Sequence, residues 1–474
     1  MQQIDLEFPR IIIAALRGGS GKTILSIGII AAWKKLGQTI APFKKGPDYI
    51  DAGWLALAAG RPCFNLDSFL LNQEDNLQSF LSHSLNSDFA VIEGNRGLYD
   101  GIDLEGSTST AALAKLLKSP VVLCVDSTKI TRTMAAIISG CLQFDPDVMI
   151  KGVILNRVAG SRHKKKLQDS IEHYCDLPVL GAIPKLEKEH FPERHLGLVP
   201  TFEHDWARDS IKAISEIVRQ HVDLEEIAKI ARDAVELQPE DEIRDYAKKA
   251  PVQMSISLKG QPRPRIGIMR DSAFQFYYPE NIEALTAAGA EVFFVSPLTS
   301  QTLPEVDGLY IGGGFPETHA QQLADNTGFS QKLKALADDG LPIYAECGGL
   351  MYLGEKLVLD DKSYPMVGVL PLVFDFYQRP QGHGYTVATV TAENPYYETG
   401  LEIRGHEFHY SRVSKWTGSD MNLVFRMTRG AGISKDRDGI LYKNVLATYM
   451  HIHALGTPGW AAALVRNAIQ FKNS

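Results

Sequence analysis

Short apolar runs alternate with longer helix-like segments through roughly the first 185 residues of the chain. The runs are rich in Val, Ile, Leu and Ala, which is typical of strands buried on both faces of a sheet. They lie at residues 11–15, 39–43, 88–93, 120–126, 151–156 and 178–184. Strands that alternate with helices in this way predict a doubly wound parallel sheet.

A second series of apolar runs follows a charged, helix-like stretch at residues 211–249. A segment rich in Pro and Gly at 259–264 separates the two series and reads as a linker. We therefore predict an α/β chain with two domains, at residues 1–245 and 265–474, joined by a linker at 246–264.

The composition excludes several classes of protein. A net charge of −7 argues against a nucleic-acid binder, which would present a basic face. No stretch approaches the length of an apolar membrane span, and residues 1–10 lack the apolar core of a signal peptide. The five cysteines form no C-x-x-C pair, so we expect neither a disulfide framework nor a zinc site, and we place the protein in a reducing cytoplasm.

A glycine-rich loop joins the first apolar run to a helix-like segment. Gly19 and Gly21 would let the backbone wrap around an anion, with its N–H groups directed at the phosphates of ATP. Lys22 would pair with the β- and γ-phosphates, and the Thr23 hydroxyl would hold Mg²⁺. Because Leu16 stands where the usual pattern has its first glycine, a turn without phosphate is the alternative, but Gly-Lys-Thr favours a nucleotide.

Charged residues follow two of the predicted strands. Two cations, Lys44 and Lys45, and two carboxylates, Asp48 and Asp51, surround a Gly-Pro turn after the second run, and Glu93 ends the third. Ligands gather at the carboxyl ends of parallel strands, which favours phosphate or acceptor binding by the first group over a charged surface turn. Glu93 is typical of the second acidic element of a nucleotide site, which binds Mg²⁺ directly or through water.

Asp100 and Asn156 are further candidates near the same edge of the sheet. Asp100 lies in a glycine-rich loop that could close on a phosphate or on the acceptor. Asn156 ends a later strand, where it would read the adenine edge or serve equally well as an ordinary turn residue.

The second domain contains a candidate nucleophile. Cys347 lies where an apolar strand meets a Gly-Gly turn and a helix, which is the arrangement of a nucleophile elbow with Cys in place of Ser. This context favours a reactive thiol over an inert buried cysteine, because the helix N-terminus is expected to lower the pKa of the thiol and the glycines permit a strained backbone. Three glycines at 312–314 would free backbone N–H groups for an oxyanion hole.

A thiol nucleophile needs a base, and five histidines lie downstream as candidates: His383, His406, His409, His451 and His453. The run at 446–453 ends a strand, which suits a catalytic His451. Histidines at alternate positions also suggest metal ligands, but no third ligand is evident, so we do not predict a metal there.

Six segments occur in one order along the chain: the Gly-Lys-Thr loop and residues 45–51, 93–101, 312–317, 346–349 and 405–410. Together they resemble the cobyrinic acid a,c-diamide synthase family over nearly the whole chain. The resemblance implies a P-loop N-terminal domain similar to dethiobiotin synthetase. It also implies a C-terminal class I glutamine amidotransferase domain of the cobyric acid synthase type.

The resemblance implies roles for residues of the second domain. Cys347 would attack the side-chain amide of glutamine and release ammonia, with His451 as its base. Backbone N–H groups near Gly313 and Gly348 would hold the oxyanion. The family lacks the usual acidic partner two residues after the histidine, and the residue here is His453.

In the first domain the resemblance places ATP and Mg²⁺ at Lys22 and Thr23, with Asp48, Asp51 and Glu93 near the metal. ATP would phosphorylate a carboxylate of the acceptor, and ammonia would displace phosphate, which is a good leaving group. The implied acceptor is cobyrinic acid, a tetrapyrrole polycarboxylate amidated on its c and then its a acetate groups. The implied partners are small molecules, and a homodimer is left open.

Arg17 marks a departure from the family, whose loop is usually rich in Ser and Thr. Residues 17–23 are closer to the loop of partition-type ATPases. One alternative is therefore an ATPase switch, although it leaves residues 312–317 and Cys347 without a role. Another is the same chemistry on nickel-sirohydrochlorin or hydrogenobyrinic acid, which have the same acetate groups.

Overall fold

The computed structural model describes residues 8–185, 193–194, 197–198, 206–237, 263–416 and 422–474. The chain divides into two compact units, Met1–Lys248 and Lys249–Ser474. The predicted linker at 246–264 lies outside the described residues except for its last two positions. Within the described ranges, no helix has both the length and the apolar composition needed to cross a membrane.

The first unit is built on a seven-stranded parallel sheet, which confirms the predicted doubly wound fold. Its strands are β1 (Arg10–Ala15), β2 (Ile40–Lys45), β3 (Phe64–Leu66), β4 (Phe89–Glu93), β5 (Val121–Asp126), β6 (Ile150–Val158) and β7 (Val179–Pro184). They lie in the order β3-β2-β4-β1-β5-β6-β7. Because successive side chains of a strand point to opposite faces, Ile12 of β1 enters one core and Ile13 enters the other.

Helices cover both faces of this sheet. They are α1 (Lys22–Lys35), α2 (Tyr49–Ala59), α3 (Gln73–Ser84), α4 (Thr110–Leu116), α5 (Thr133–Phe144), α6 (Ser161–Cys175), α7 (Ala207–His221) and α8 (Leu224–Arg232). A short antiparallel pair is formed by β8 (Glu193–Arg194) and β9 (Gly197–Leu198). The helix predicted from residue 211 onward is interrupted, because Val222 bridges to Gly181 and the Asp223 side chain caps α8.

The second unit contains a ten-stranded mixed sheet in the order β11-β10-β12-β13-β22-β21-β20-β17-β18-β23. Its strands are β10 (Arg265–Met269), β11 (Glu291–Val295), β12 (Gly308–Ile311), β13 (Ile343–Glu346), β17 (Gly382–Val390), β18 (Glu402–His409), β20 (Asn422–Arg429), β21 (Arg437–Tyr442), β22 (Val445–Thr448) and β23 (His451–Ile452). The strands from β10 to β13 pair in parallel with their neighbours and with β22, whereas the remaining pairs are antiparallel.

A smaller four-stranded sheet consists of β14 (Lys356–Leu359), β15 (Lys362–Pro365), β16 (Leu372–Phe376) and β19 (Ser411–Trp416). The helices of this unit are α9 (Pro279–Ala287), α10 (Ala320–Asp325), α11 (Thr327–Asp338), α12 (Gly348–Leu353) and α13 (Trp460–Lys472). Sheet and helices together form the predicted α/β domain, with β13 and β12 near its centre.

The run predicted as one strand at 446–453 is divided in the structure. β22 ends at Thr448 and β23 begins at His451, because the Asp438 carboxylate fixes the turn between them. It accepts hydrogen bonds from the Thr448 hydroxyl at 2.8 Å and from the amides of Tyr449 at 3.2 Å and Met450 at 3.3 Å.

Candidate active sites

The glycine-rich loop runs directly from β1 into α1. Gly19 and Gly21 have φ angles of 71° and 95°, in the left-handed region that glycine adopts without strain. A Cβ atom at Gly21 would lie 2.2 Å from Nδ2 of Asn156, so a larger residue does not fit there. The first turn of α1 has no acidic side chain, which leaves the positive end of the helix dipole suited to an anion.

Two side chains hold this loop in place. Nδ2 of Asn156 donates a hydrogen bond to the carbonyl of Ser20 at 2.8 Å, so Asn156 supports the loop backbone. Its reading of adenine stays a prediction. Arg17, where the loop departs from the family pattern, pairs with Asp126 at 3.1 Å.

The loop after β4 approaches the glycine-rich loop through Lys22. The Lys22 ammonium is buried and donates a hydrogen bond to the carbonyl of Arg96 at 2.7 Å. Burial and the neighbouring Lys44 lower the pKa of this ammonium. Asp100 closes the same loop, because its carboxylate accepts the amide of Gly97 at 2.8 Å.

Thr23, Lys44, Asp51 and Glu93 form the centre of the first site. The Thr23 hydroxyl donates to Oε1 of Glu93 at 2.7 Å and lies 3.2 Å from Oδ2 of Asp51. The Lys44 ammonium lies 2.9 Å from each of these two carboxylates and is only 2% exposed. The sequence places Lys44 in this charged cluster but predicts the acceptor or phosphate role for Lys45. Lys45 is also buried, one position on, where a strand directs its side chain to the other face.

The charges of this cluster shift one another's ionisation. Burial opposes the charge of Lys44, but Asp51 and Glu93 raise the pKa of its ammonium. Burial likewise works against the charge of Asp51, yet Lys44 lowers its pKa. Burial raises the pKa of Glu93, and burial with the charge of Asp51 raises the pKa of Asp48 to about 7. Asp48 also caps α2 by accepting the amide of Asp51 at 2.9 Å.

The first site has donors that fit Mg²⁺. Oε2 of Glu93 is buried and has no hydrogen-bond partner within the described ranges, so it has a lone pair to offer. The same ranges contain no group of three His, Cys, Asp or Glu side chains arranged to hold a metal ion. Mg²⁺ at a nucleotide needs only one or two carboxylates, together with phosphate oxygens and water, so Thr23, Glu93 and Asp51 suffice.

Cys347 occupies the bend between β13 and α12. Its φ and ψ angles are 46° and −96°, which is a strained conformation for a residue with a side chain. The tight packing behind it requires glycine, since a Cβ atom at Gly349 would lie 2.5 Å from the carbonyl oxygen of Ile311. Burial raises the pKa of the Cys347 thiol well above its usual value, and the charges of Glu317 and Glu346 add to this effect. A buried thiol of this kind needs a base to become a nucleophile.

His451 lies beside the residue that directly precedes the elbow cysteine. Its Nδ1 lies 3.4 Å from Oε2 of Glu346, the residue directly before Cys347. Its ring packs over Gly313, where a Cβ atom would lie 2.3 Å from Cε1 of the imidazole. His406 stacks on the same ring with centroids 4.9 Å apart. Burial and the neighbouring histidines lower the pKa of His406 well below its usual value.

The other candidate histidines have different surroundings. His453 faces Glu280, with 3.5 Å between Nε2 and Oε1. His409 stacks on Tyr449 at 3.7 Å between centroids, and its Nδ1 lies 2.8 Å from the carbonyl of Ser411. His383 is exposed and packs edge-on against Phe408.

The predicted oxyanion glycines meet at the same place. A Cβ atom at Gly348 would lie 3.0 Å from the amide nitrogen of Gly314, so the turn at 312–314 and the start of α12 are in close contact. The Tyr277 hydroxyl lies 2.8 Å from the amide nitrogen of Gly312 and anchors this turn. Gly313 and Gly348 therefore lie close together, although their binding of an oxyanion stays a prediction.

These features define a class of protein: a P-loop nucleotide-binding domain followed by a glutamine amidotransferase domain. Comparison with known families agrees. Residues 11–198 match the CobQ/CobB/MinD/ParA nucleotide binding domain, and residues 265–458 match the CobB/CobQ-like glutamine amidotransferase domain.

The relatives cover almost the entire chain. Cobyrinate a,c-diamide synthase of Magnetococcus marinus is 44% identical over 97% of both chains. The enzymes of that name from Archaeoglobus fulgidus and Methanosarcina acetivorans are 41% and 40% identical, over 100% and 98% of this chain and 100% and 96% of theirs. The chain belongs to the cobyrinate a,c-diamide synthase family, which confirms the resemblance seen in the sequence.

Proposed function

We propose that the protein is a carbon–nitrogen ligase that uses ATP and glutamine to amidate the a and c acetate carboxylates of cobyrinic acid. The observation that carries this proposal is the presence, in one chain, of a P-loop with buried carboxylates and of a cysteine elbow with His451 beside it. Similarity to synthases of this name along almost the whole chain supports the choice of acceptor.

The second unit supplies ammonia from glutamine. Nε2 of His451 takes the thiol proton of Cys347 as the sulfur attacks the amide carbon of the side chain. The C–N bond then breaks, the proton passes from His451 to the leaving nitrogen, and ammonia departs from a thioester. Water adds to the thioester carbon, and cleavage of the C–S bond gives glutamate and the free thiol. Backbone N–H groups at Gly313 and Gly348 would hold the oxyanion in both steps.

The first unit activates the acceptor. A carboxylate oxygen of the acceptor attacks the γ-phosphorus of ATP, ADP leaves, and an acyl phosphate forms. Ammonia then attacks the acyl carbon, and phosphate departs with the former carboxylate oxygen. Lys22 and the loop amides bind the phosphates, and Thr23, Asp51 and Glu93 would hold Mg²⁺. The ion would offset the negative charge of the phosphate oxygens during transfer.

The acceptor is tested by incubating the protein with Mg-ATP, glutamine and cobyrinic acid and following the acceptor by mass spectrometry. We expect two successive acid-to-amide conversions that require both ATP and glutamine. Glutamine hydrolysis without conversion would reject cobyrinic acid as the acceptor and direct the assay to nickel-sirohydrochlorin and hydrogenobyrinic acid. A chain that hydrolyses ATP but not glutamine would match the partition-type switch instead.

The nucleophile is tested by the Cys347→Ala variant. Because only the glutamine half of the reaction needs the thiol, the variant should lose glutamine-dependent amidation and keep activity with ammonium salts. The Cys141→Ala variant, which alters a half-buried thiol of the first unit, is the matched control and should keep both activities. Glutamine-dependent turnover by Cys347→Ala would show that another residue is the nucleophile.

Three expectations about the working enzyme accompany this proposal. Mg²⁺ is proposed as its metal ion because the donors around Glu93 suit that ion. A cytoplasmic location is proposed because the five cysteines are free thiols, as is usual in a reducing compartment. A homodimer stays open and is decided by sedimentation of the intact chain.

A further inference from the structure

A carboxylate lies beside His451 although the usual sequence position for one is occupied by His453. It belongs to Glu346, the last residue of β13 and the direct neighbour of Cys347. β13 pairs in parallel with β22, and a tight turn joins β22 to β23, which begins with His451. As a result, Oε2 of Glu346 lies 3.4 Å from Nδ1 of the imidazole, with Glu346 fully buried and His451 only 2% exposed.

The Glu346 carboxylate is held in one orientation by two other donors. The Tyr310 hydroxyl donates to Oε2 at 3.0 Å, and the amide of Ile452 donates to Oε1 at 3.1 Å. Burial and the charge of Glu346 raise the pKa of Tyr310 well above its usual value, so this hydroxyl keeps its proton. Nδ2 of Asn281 then contacts both the Tyr310 hydroxyl and the Ile452 carbonyl at 3.0 Å, which ties the donors together.

We propose that Glu346 is the positioning residue for His451 in glutamine hydrolysis. Its carboxylate keeps a proton on Nδ1, which leaves Nε2 unprotonated to receive the thiol proton of Cys347. It also stabilises the imidazolium that exists until the proton reaches the leaving ammonia. This inference rests on the proposed glutaminase function, and it supplies within the nucleophile strand the acidic group that the segment after His451 lacks.

The nearby pair of His453 and Glu280 provides a matched comparison. Its Nε2–Oε1 distance of 3.5 Å and its burial resemble those of the His451–Glu346 pair. Glu280, however, lies in the first turn of α9 and is remote in sequence from the elbow, whereas Glu346 is covalently adjacent to Cys347. If a buried carboxylate contributed only to folding, its loss would have the same effect in both pairs. Comparing Glu346→Gln with Glu280→Gln therefore separates positioning of the histidine from general stabilisation.

The test compares Glu346→Gln with Glu280→Gln in a glutaminase assay. Glutamine keeps the size of the side chain but not its charge, so Glu346→Gln should lower kcat roughly 10²- to 10⁴-fold, as in other triads, with little change in KM. Glu280→Gln should stay within about threefold of the parent kcat. Both variants should keep ammonia-dependent amidation. A Glu346→Gln variant with the parent kcat would overturn the proposal.

A measurement on the parent protein covers the case in which Glu346→Gln does not fold. Nitrogen NMR of ¹⁵N-histidine-labelled protein should show Nδ1 of His451 protonated and Nε2 unprotonated, with the signals assigned by their loss in His451→Asn. The opposite tautomer would overturn the proposal. If the parent hydrolyses no glutamine, the proposed function fails and the role of Glu346 fails with it. If the parent hydrolyses glutamine but shows the opposite tautomer, only the role of Glu346 is wrong. If it hydrolyses glutamine but amidates no acceptor, only the acceptor is wrong.

Discussion

One buried ammonium, that of Lys44, sets the charge balance of the nucleotide site. It contacts Asp51 and Glu93 at 2.9 Å each, so one buried cation faces two carboxylates, of which Glu93 is buried and Asp51 is partly exposed. Removing one partner of such a group leaves an uncompensated buried charge, which is far more costly than replacing both partners by neutral groups. The residues that would hold Mg²⁺ therefore depend on Lys44 for their stability.

The Lys44→Met variant should lower the free energy of unfolding of the first unit by about 3–5 kcal/mol, because the carboxylates lose their cation. Urea unfolding with and without Mg²⁺ measures this effect. Because a divalent cation can replace the lost charge, Mg²⁺ should stabilise the variant more than it stabilises the parent protein.

The double variant Lys44→Met/Glu93→Gln is the control for this prediction. Since it removes one charge of each sign, it should be more stable than Lys44→Met alone. Together with the parent protein and Glu93→Gln, these variants form a double-mutant cycle that gives the coupling energy between Lys44 and Glu93. Equal stability of Lys44→Met and the parent protein would show that the ammonium does not balance these carboxylates.

Residues that stand out through their immediate neighbours can be picked from the sequence as candidates, whereas residues whose partners are set by strand register cannot. Lys22 and Cys347 were chosen because the local Gly-rich segments dictate their backbone. The partners of Lys44 and Glu346 could not be predicted because they are distant in sequence: 49 residues separate Lys44 from Glu93, and Glu346 reaches the Ile452 amide 106 residues on. The available signal was position, since Lys44 and Glu346 are charged residues at the ends of buried strands.

At the scale of single elements, the turn between β22 and β23 sets the position of His451. Thr448, Tyr449 and Met450 all donate hydrogen bonds to the buried carboxylate of Asp438, on β21. Periodicity predicted a strand here but could not show the interruption, because the apolar run is continuous and the residue that breaks it lies on the neighbouring strand. The sheet and the elbow, in contrast, follow from local patterns.

The Asp438→Asn variant should be less stable than the parent protein, because an amide cannot accept all of these hydrogen bonds. Burial raises the pKa of Asp438 to about 6. Because the pKa of Asp438 in the folded state is above its unfolded value near 3.9, the folded state binds this proton more tightly than the unfolded state does. The stabilisation from the bound proton is fully present below about pH 3.9 and is lost as the pH rises through about 6. The stability difference between parent and variant should therefore shrink between about pH 4 and pH 7.

Thermal unfolding across this pH range checks the prediction. Asp436→Asn, two positions away on the exposed surface, is the control, and its unfolding temperature should change with pH in parallel with that of the parent protein. A difference between parent and Asp438→Asn that grows with pH would mean that the carboxylate is charged throughout.

At the scale of the whole molecule, each unit has its own cores. The first unit packs clusters on both faces of its parallel sheet, and the second packs separate clusters around β12 and β13. The division of the chain into two such bodies follows the composition, because apolar runs cluster before and after a charged, Pro- and Gly-containing stretch. The acceptor cannot be read from composition, since it depends on side chains around a ligand.

Mg-ATP should raise the unfolding temperature of the first unit only, because that unit has the P-loop with Thr23 and the Glu93 carboxylate beside it. At a ligand concentration a hundred times Kd, linkage predicts about 2.7 kcal/mol of added stability. Calorimetry of the intact chain measures this, and Glu93→Gln should reduce the shift. An equal shift in both transitions would contradict the assignment of ATP to the first unit.

The backbone of Cys347 has a consequence for stability. Its φ angle of 46° and ψ angle of −96° are costly for any residue with a side chain, by about 1–3 kcal/mol, and glycine would relieve much of that strain. A change of Cys347 to glycine would thus give a more stable protein that lacks the proposed nucleophile. Folding stability and thiol reactivity therefore favour different residues at position 347. The proposed role of Cys347 in glutamine hydrolysis gives a reason for a strained residue with a side chain at this position.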